Sequence, residues 1–215
     1  MNSRYAATGL EAEFQPGSRS RVLRNKLGIH LVSEMQSAES VALEQAQERL
    51  LARISGDHRF TAADICGIHR DWLGDIYQWA GDYRSVNVSK DGLMFAAARL
   101  VHGLMAGFER SELRALTPCQ GMPVEALIAA LARTHAELVI IHPFREGNGR
   151  CARLLALLMA LQAGLPVLDF EPLAGRGRPA YFAAIRAAFG KDYRPLEARF
   201  KAVIDRTLRL YAGRS

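Results

Sequence analysis

The chain has 215 residues, enough for one domain with a sizeable core, and at 49% hydrophobic and 23% charged its composition excludes wholesale disorder. Its formal net charge of +6 and isoelectric point near 9.5 permit an acidic partner or a nucleotide, but the basic residues are scattered and select none. Three widely spaced cysteines, Cys66, Cys119 and Cys151, form no C-x-x-C pair, which argues against a disulfide framework or zinc site and for a reducing cytoplasm.

Residues 1–20 are polar, hold Pro16-Gly17 and lack the apolar stretch of a secretory leader, so they read as an irregular arm before a domain over 21–212. The run from Glu39 to Ile54 is rich in helix formers and is followed by a turn at Ser55–Asp57. Thr61 and Asp64 mark the next helix start, and Ile65, Ile68, Trp72, Ile76 and Trp79 recur at spacings of three and four along one face. The period then changes. In VNVSKDGLMF, Val86 and Val88 alternate with polar neighbours and Asp91-Gly92 is a good turn pair, which predicts a β-hairpin.

Helical pattern resumes over residues 96–109. After a loop from Thr117 to Pro123, a further helix carries Leu127, Leu131, His135, Leu138 and Ile141 down one side and ends at His142-Pro143. Cys151–Gln162 is nearly all apolar, predicts a buried helix, and closes at Gly164 and Pro166; it is too short to cross a bilayer. Two more helices are predicted, Pro179–Phe189 and Pro195–Tyr211. The fold class is all-α, with one short hairpin.

The polar loop between the two buried helices, HPFREGNGRCAR from His142 to Arg153, carries the chemistry. Gly147-Asn148-Gly149 can turn backbone N–H groups toward an anion, and the N-terminus of the following helix adds its positive end. Arg150 and Arg153 stand three apart on that helix, and two guanidinium forks suit a polyphosphate. Glu146 beside phosphates calls for a cation, and Mg²⁺ takes one or two carboxylates plus phosphate oxygens. His142 can serve as general base, and Phe144 is expected to turn inward and anchor the loop. These residues read as a nucleotide-triphosphate–Mg²⁺ site. No G-x-x-x-x-G-K-[ST] P-loop occurs.

This stretch resembles the signature of the Fic family of nucleotidyl transferases, H-x-F-x-[DE]-G-N-G-R-x-x-R, at every fixed position. VLRNKLGI, GIHRDWLGDIYQWAGDYR and VNVSKDGLMF are also similar to segments of that family. The resemblance implies a compact helical bundle with a hairpin flap beside the active site. It implies AMPylation, in which AMP passes from ATP to a hydroxyl of a target protein with release of pyrophosphate. It casts His142 as the base, Glu146 as the Mg²⁺ ligand, and Gly147, Asn148, Gly149, Arg150 and Arg153 as phosphate grips. It makes Val86, Val88, Lys90 and Phe95 the target-docking flap.

Many members also carry an inhibitory helix, [ST]-x-x-x-E-[GN], whose glutamate pairs with the arginine equivalent to Arg150. Here only Ser40–Glu44 fits the spacing, with Gln45 in the last place. The resemblance therefore points to a separate antitoxin-like inhibitor protein or to no such control. A cytoplasmic, toxin-like role is the expectation, with a secreted effector left open; neither a nucleic acid nor a membrane is expected as partner. The alternatives are transfer of UMP or phosphate, or a nucleotide-binding regulatory module. His69, His135, Trp72 and Trp79 are read as core residues, and Cys151 as packing.

Overall fold

The computed structural model describes residues 10–90 and 93–213. It is helical, as the periodicities predict, and the chain divides into two compact units.

The first unit comprises Met1–Arg53, Ala62–Ala106 and Ile141–Cys151. Among its described residues the chain opens with a 3-10 turn, Leu10–Ala12, and a bridge that pairs Phe14 with Leu23. The residues read as an irregular arm are thus tied down from Leu10 onward; residues 1–9 lie outside the described ones. Helix α1, Val32–Arg53, begins seven residues before the predicted start at Glu39, because Met35 already packs into the core. It lies against α2, Ala62–Leu73. All five residues of the predicted face from Ile65 to Trp79 are buried. The helix nonetheless stops at Leu73, and Ile76 and Trp79 reach the core through turns.

The hairpin is short: among the described residues of this segment β1, Ser89–Lys90, and β2, Leu93–Met94, pair, antiparallel, with Ser89 opposite Met94 and Lys90 opposite Leu93. The Asp91-Gly92 turn pair lies outside the described residues. Val86 is buried, so the alternation from Val86 onward reflects one inward side chain rather than a long strand. Next comes α3, Val101–Phe108, which passes into the second unit at Gly107.

The second unit comprises Ile54–Thr61, Gly107–Ile140 and Ala152–Ser215. A π-turn at Glu109–Leu113 leads into α4, Arg114–Leu116, and then α5, Val124–Ile141, on which Leu127, Leu131, His135 and Leu138 are buried. α6, Asn148–Gln162, places its first turn in the first unit and the remainder here. Gly164, at φ +84°, closes it, with the Leu165 N–H on the Ala160 carbonyl. α7, Arg178–Ala188, packs on α8, Arg194–Ala212, around Tyr181, Ile185 and Phe200. No helix among the described residues is long and apolar enough to cross a membrane.

Candidate active site

The loop from His142 to Gly147 and the first turn of α6 belong to the first unit. Phe144 is fully buried and stacks on His69 with centroids 3.8 Å apart. His69 accepts the Gly81 N–H on Nδ1 at 2.8 Å, so its proton is on Nε2, which donates to the Glu146 carbonyl at 3.1 Å. Burial depresses its pKa to about 4 and keeps it neutral at physiological pH. This core histidine therefore does more than fill space, because it fixes the backbone of the residue that bears the candidate metal carboxylate.

Asn148 closes the loop from within. Its Oδ1 accepts the Phe144 N–H and its Nδ2 donates to the Phe144 carbonyl, both at 2.8 Å. It thus pins the loop rather than capping α6. Gly147 takes φ +82°, and a Cβ there would meet Trp72 at 2.6 Å, so only glycine lets the loop pass over the indole. Asn148 and Gly149 are already helical, so the expected anion nest would fall at the opening of α6, where the Arg150 and Cys151 N–H groups donate to the Gly147 carbonyl at 3.0 and 2.9 Å and the Asn148 and Gly149 N–H groups lead the helix.

The Glu146 side chain is 44% exposed; its Oε1 accepts the Gly147 N–H at 2.9 Å and lies 3.6 Å from Arg150. One accessible carboxylate at a helix opening suits a cation that phosphate oxygens also hold. No group of three metal-binding side chains occurs among the described residues. Arg150 stacks over Trp72 at 4.5 Å and pairs with Glu39 Oε2 at 2.8 Å. Glu39 is buried on α1; Oε1 accepts the Tyr77 hydroxyl at 2.8 Å, and its carbonyl accepts Trp72 Nε1 at 2.9 Å. The inhibitory-helix spacing points to Glu44, which is exposed; the carboxylate on Arg150 comes five residues earlier. Met35 and Ser40 stand where that motif needs Ser or Thr and Gly or Asn, so no pattern reveals it.

Arg153 lies in the second unit, half-buried. There His135 shares a 2.9 Å hydrogen bond with the Tyr181 hydroxyl, and burial, with the Arg153 charge next, lowers its pKa to about 3. Burial pushes the Cys151 thiol well up, which leaves no ready thiolate.

His142 is half-buried at φ +54°. Arg84, itself buried, donates from Nε to its carbonyl at 2.7 Å, and to the Val86 and Ala96 carbonyls at 2.7 and 2.5 Å. Phe95 stacks on the His142 ring. Val86 can meet a partner only through its backbone, since its side chain is buried; Val88 is half-buried and its carbonyl accepts the Phe95 N–H at 3.3 Å. The Lys90 side chain is outside what the structure describes. Glu39, Arg84 and the His69–Glu146 bond leave no signature in the motif, because their partners are distant residues and main-chain carbonyls.

Residues 59–160 match the model of the Fic/DOC family. A probable protein adenylyltransferase Fic of Salmonella typhimurium is 28% identical over 183 residues, covering 79% of this chain and 86% of that protein. Protein adenylyltransferase Fic of Culex quinquefasciatus is 30% identical over 96% of this chain, which spans only 40% of the mosquito protein. Protein adenylyltransferase VbhT of Bartonella schoenbuchensis is 30% identical over 66% of this chain, and just 30% of that protein is covered. Among solved structures, the BepC effector of Bartonella tribocorum with bound AMPPNP superposes with a TM-score of 0.72 at 19% identity, covering 90% of this chain and 96% of BepC.

Proposed function

The chain belongs to the Fic/DOC family, and we propose that it is a protein adenylyltransferase that moves AMP from ATP to a side-chain hydroxyl of a target protein. The observation that carries this reading is the intact loop from His142 to Arg153 at the opening of α6, with its carboxylate, glycine and arginines all present. The adenylyltransferase names of the relatives and the AMPPNP in BepC support it.

In this reading the hydroxyl oxygen attacks the α-phosphorus, the bond to the β-bridging oxygen breaks, and pyrophosphate leaves. His142 takes the hydroxyl proton. The α6 opening, Arg150 and Arg153 hold the phosphates so that the α-phosphorus faces the acceptor in line. Arg150 is held on its inner side by Glu39 and presents its remaining donors to the nucleotide. Glu146 would hold Mg²⁺, which, when bound, offsets charge on the phosphates. The segment around Val86, Val88, Lys90 and Phe95 docks the target chain beside His142.

The three described cysteines are free, which favours action in a reducing cytoplasm; the likeness to secreted Bartonella effectors makes delivery into another cell the second setting. A small antitoxin-like protein stays among the proposed partners, since an external carboxylate could approach the outer donors of Arg150. The direct test is intact-protein mass spectrometry of acceptor proteins after incubation with ATP and Mg²⁺. Addition of one AMP, abolished by a chelator, supports the reading; addition of a phosphate, or a UMP from UTP in preference to AMP, would replace it.

A further inference from the structure

Phe95 has a second partner besides any docked target. Its ring lies on His142 with centroids 3.6 Å apart and planes 12° from parallel. Both rings are half-buried, so the stack forms at the surface of the first unit rather than in its core. Such a contact restrains the plane of a ring that is carried on two rotatable side-chain bonds.

The backbones beneath the two rings are joined by one buried side chain. Arg84 binds the His142 carbonyl through Nε and the Val86 carbonyl through Nη1; Nη2 reaches Ala96, the residue next to Phe95. The Arg84 N–H also donates to the Pro143 carbonyl at 2.8 Å. The segments before and after the β1–β2 pairing are therefore tied to the residue that carries the imidazole, and Phe95 closes this circuit over the imidazole face. When His142 accepts a proton, its new positive charge sits over the electron-rich face of the phenyl ring, an attraction that grows as the proton moves.

We propose that Phe95 is a positioning residue for the base: it orients the His142 imidazole, so the segment that receives the target also sets the plane of the catalytic ring. The inference rests on the adenylyltransferase reading and deepens it. It differs from a pure docking role in what it controls. A docking residue sets how much acceptor is needed; a positioning residue sets the rate once acceptor is bound.

The experiment compares the full chain with its Phe95→Leu, Phe95→Tyr and His142→Ala variants. Leucine keeps apolar bulk without a ring, and tyrosine keeps the ring. The first readout is the NMR signals of the His142 ring protons, assigned by their loss in His142→Ala. The stack requires them to be displaced by the Phe95 ring current in the wild type and in Phe95→Tyr, and to return toward ordinary values in Phe95→Leu. The second is transfer from α-labelled ATP to lysate proteins, with lysate concentration varied. Phe95→Leu should lose about tenfold in maximal rate with unchanged ATP affinity, over and above any rise in the half-saturating lysate concentration that its docking contact causes, and Phe95→Tyr should restore the rate. Unmoved ring signals, or a Phe95→Leu defect confined to the half-saturating concentration, would overturn the proposal. If the wild type transfers nothing while its His142 signals show the stack, the adenylyltransferase reading itself has failed and the positioning role falls with it.

Discussion

Glu39 on α1 closes on Arg150 on α6 at 2.8 Å, and its other oxygen accepts the Tyr77 hydroxyl. Glu39 is buried and engaged on both carboxylate oxygens, so one side of Arg150 is occupied. Glu39→Ala leaves a buried hydroxyl and a largely buried guanidinium without their acceptor, a loss of about 3 kcal/mol. In a chain of this size that lowers the thermal midpoint by roughly 5–10 °C. Glu39→Gln keeps an acceptor and should lose about 1 kcal/mol. Thermal unfolding followed by circular dichroism separates the two; equal midpoints for wild type and Glu39→Ala would show that the pair contributes nothing.

Gly147→Ala places a Cβ 2.6 Å from Trp72 at a residue held at φ +82°. The loop must lift from the indole, and the N-terminus of α6 moves with it. The strain is on the order of 1–3 kcal/mol. ATP affinity measured by titration calorimetry should fall by about tenfold or more. Unchanged affinity would mean that the helix opening does not hold the phosphates.

The buried histidines make stability depend on acid. His69 is depressed from its ordinary 6.5 to about 4, by burial first, and His135 to about 3. Between those values and 6.5 the unfolded chain binds protons that the folded chain does not. Stability is therefore complete above about pH 6.5 and is lost as pH falls toward 4, with about 3 kcal/mol lost for His69 alone. His69→Gln should flatten part of the slope of thermal midpoint against pH over that range. The same slope in wild type and variant would count against a neutral His69.

Glu146→Gln keeps an oxygen for the Gly147 N–H but removes the charge that a cation needs. The Mg²⁺ concentration for half-maximal transfer should rise by about tenfold, a change of about 1.4 kcal/mol. The fold should be unchanged by circular dichroism. An unaltered Mg²⁺ dependence would remove Glu146 from the metal site.

Much of the fold and of the candidate site is legible in the sequence, and the rest has physical reasons for its silence. The helix boundary at His142-Pro143 follows from proline sterics, the burial of His69, His135 and Trp72 from apolar spacing, and that of Phe144 from its being the one large apolar side chain in a polar loop. Helix formers alone start α1 too late, because Val32–Ala38 mixes polar and apolar residues without a clean period and tertiary packing of Met35 decides it. The hairpin is shorter than its pattern, because Val86 alternates in sequence while its carbonyl serves Arg84 rather than a strand partner. No pattern finds Glu39, since its partners, Tyr77 and Arg150, are distant in sequence. Arg84 recognises main-chain carbonyls, which every sequence contains.

AMP transfer is separated from its alternatives by incubating the wild type and His142→Ala with Mg²⁺, cell lysate and ATP labelled on either the α- or the γ-phosphate. Acceptor protein should be labelled from the α-position alone, and by the wild type alone. Label arriving from the γ-position, or α-label transferred equally by His142→Ala, would contradict it.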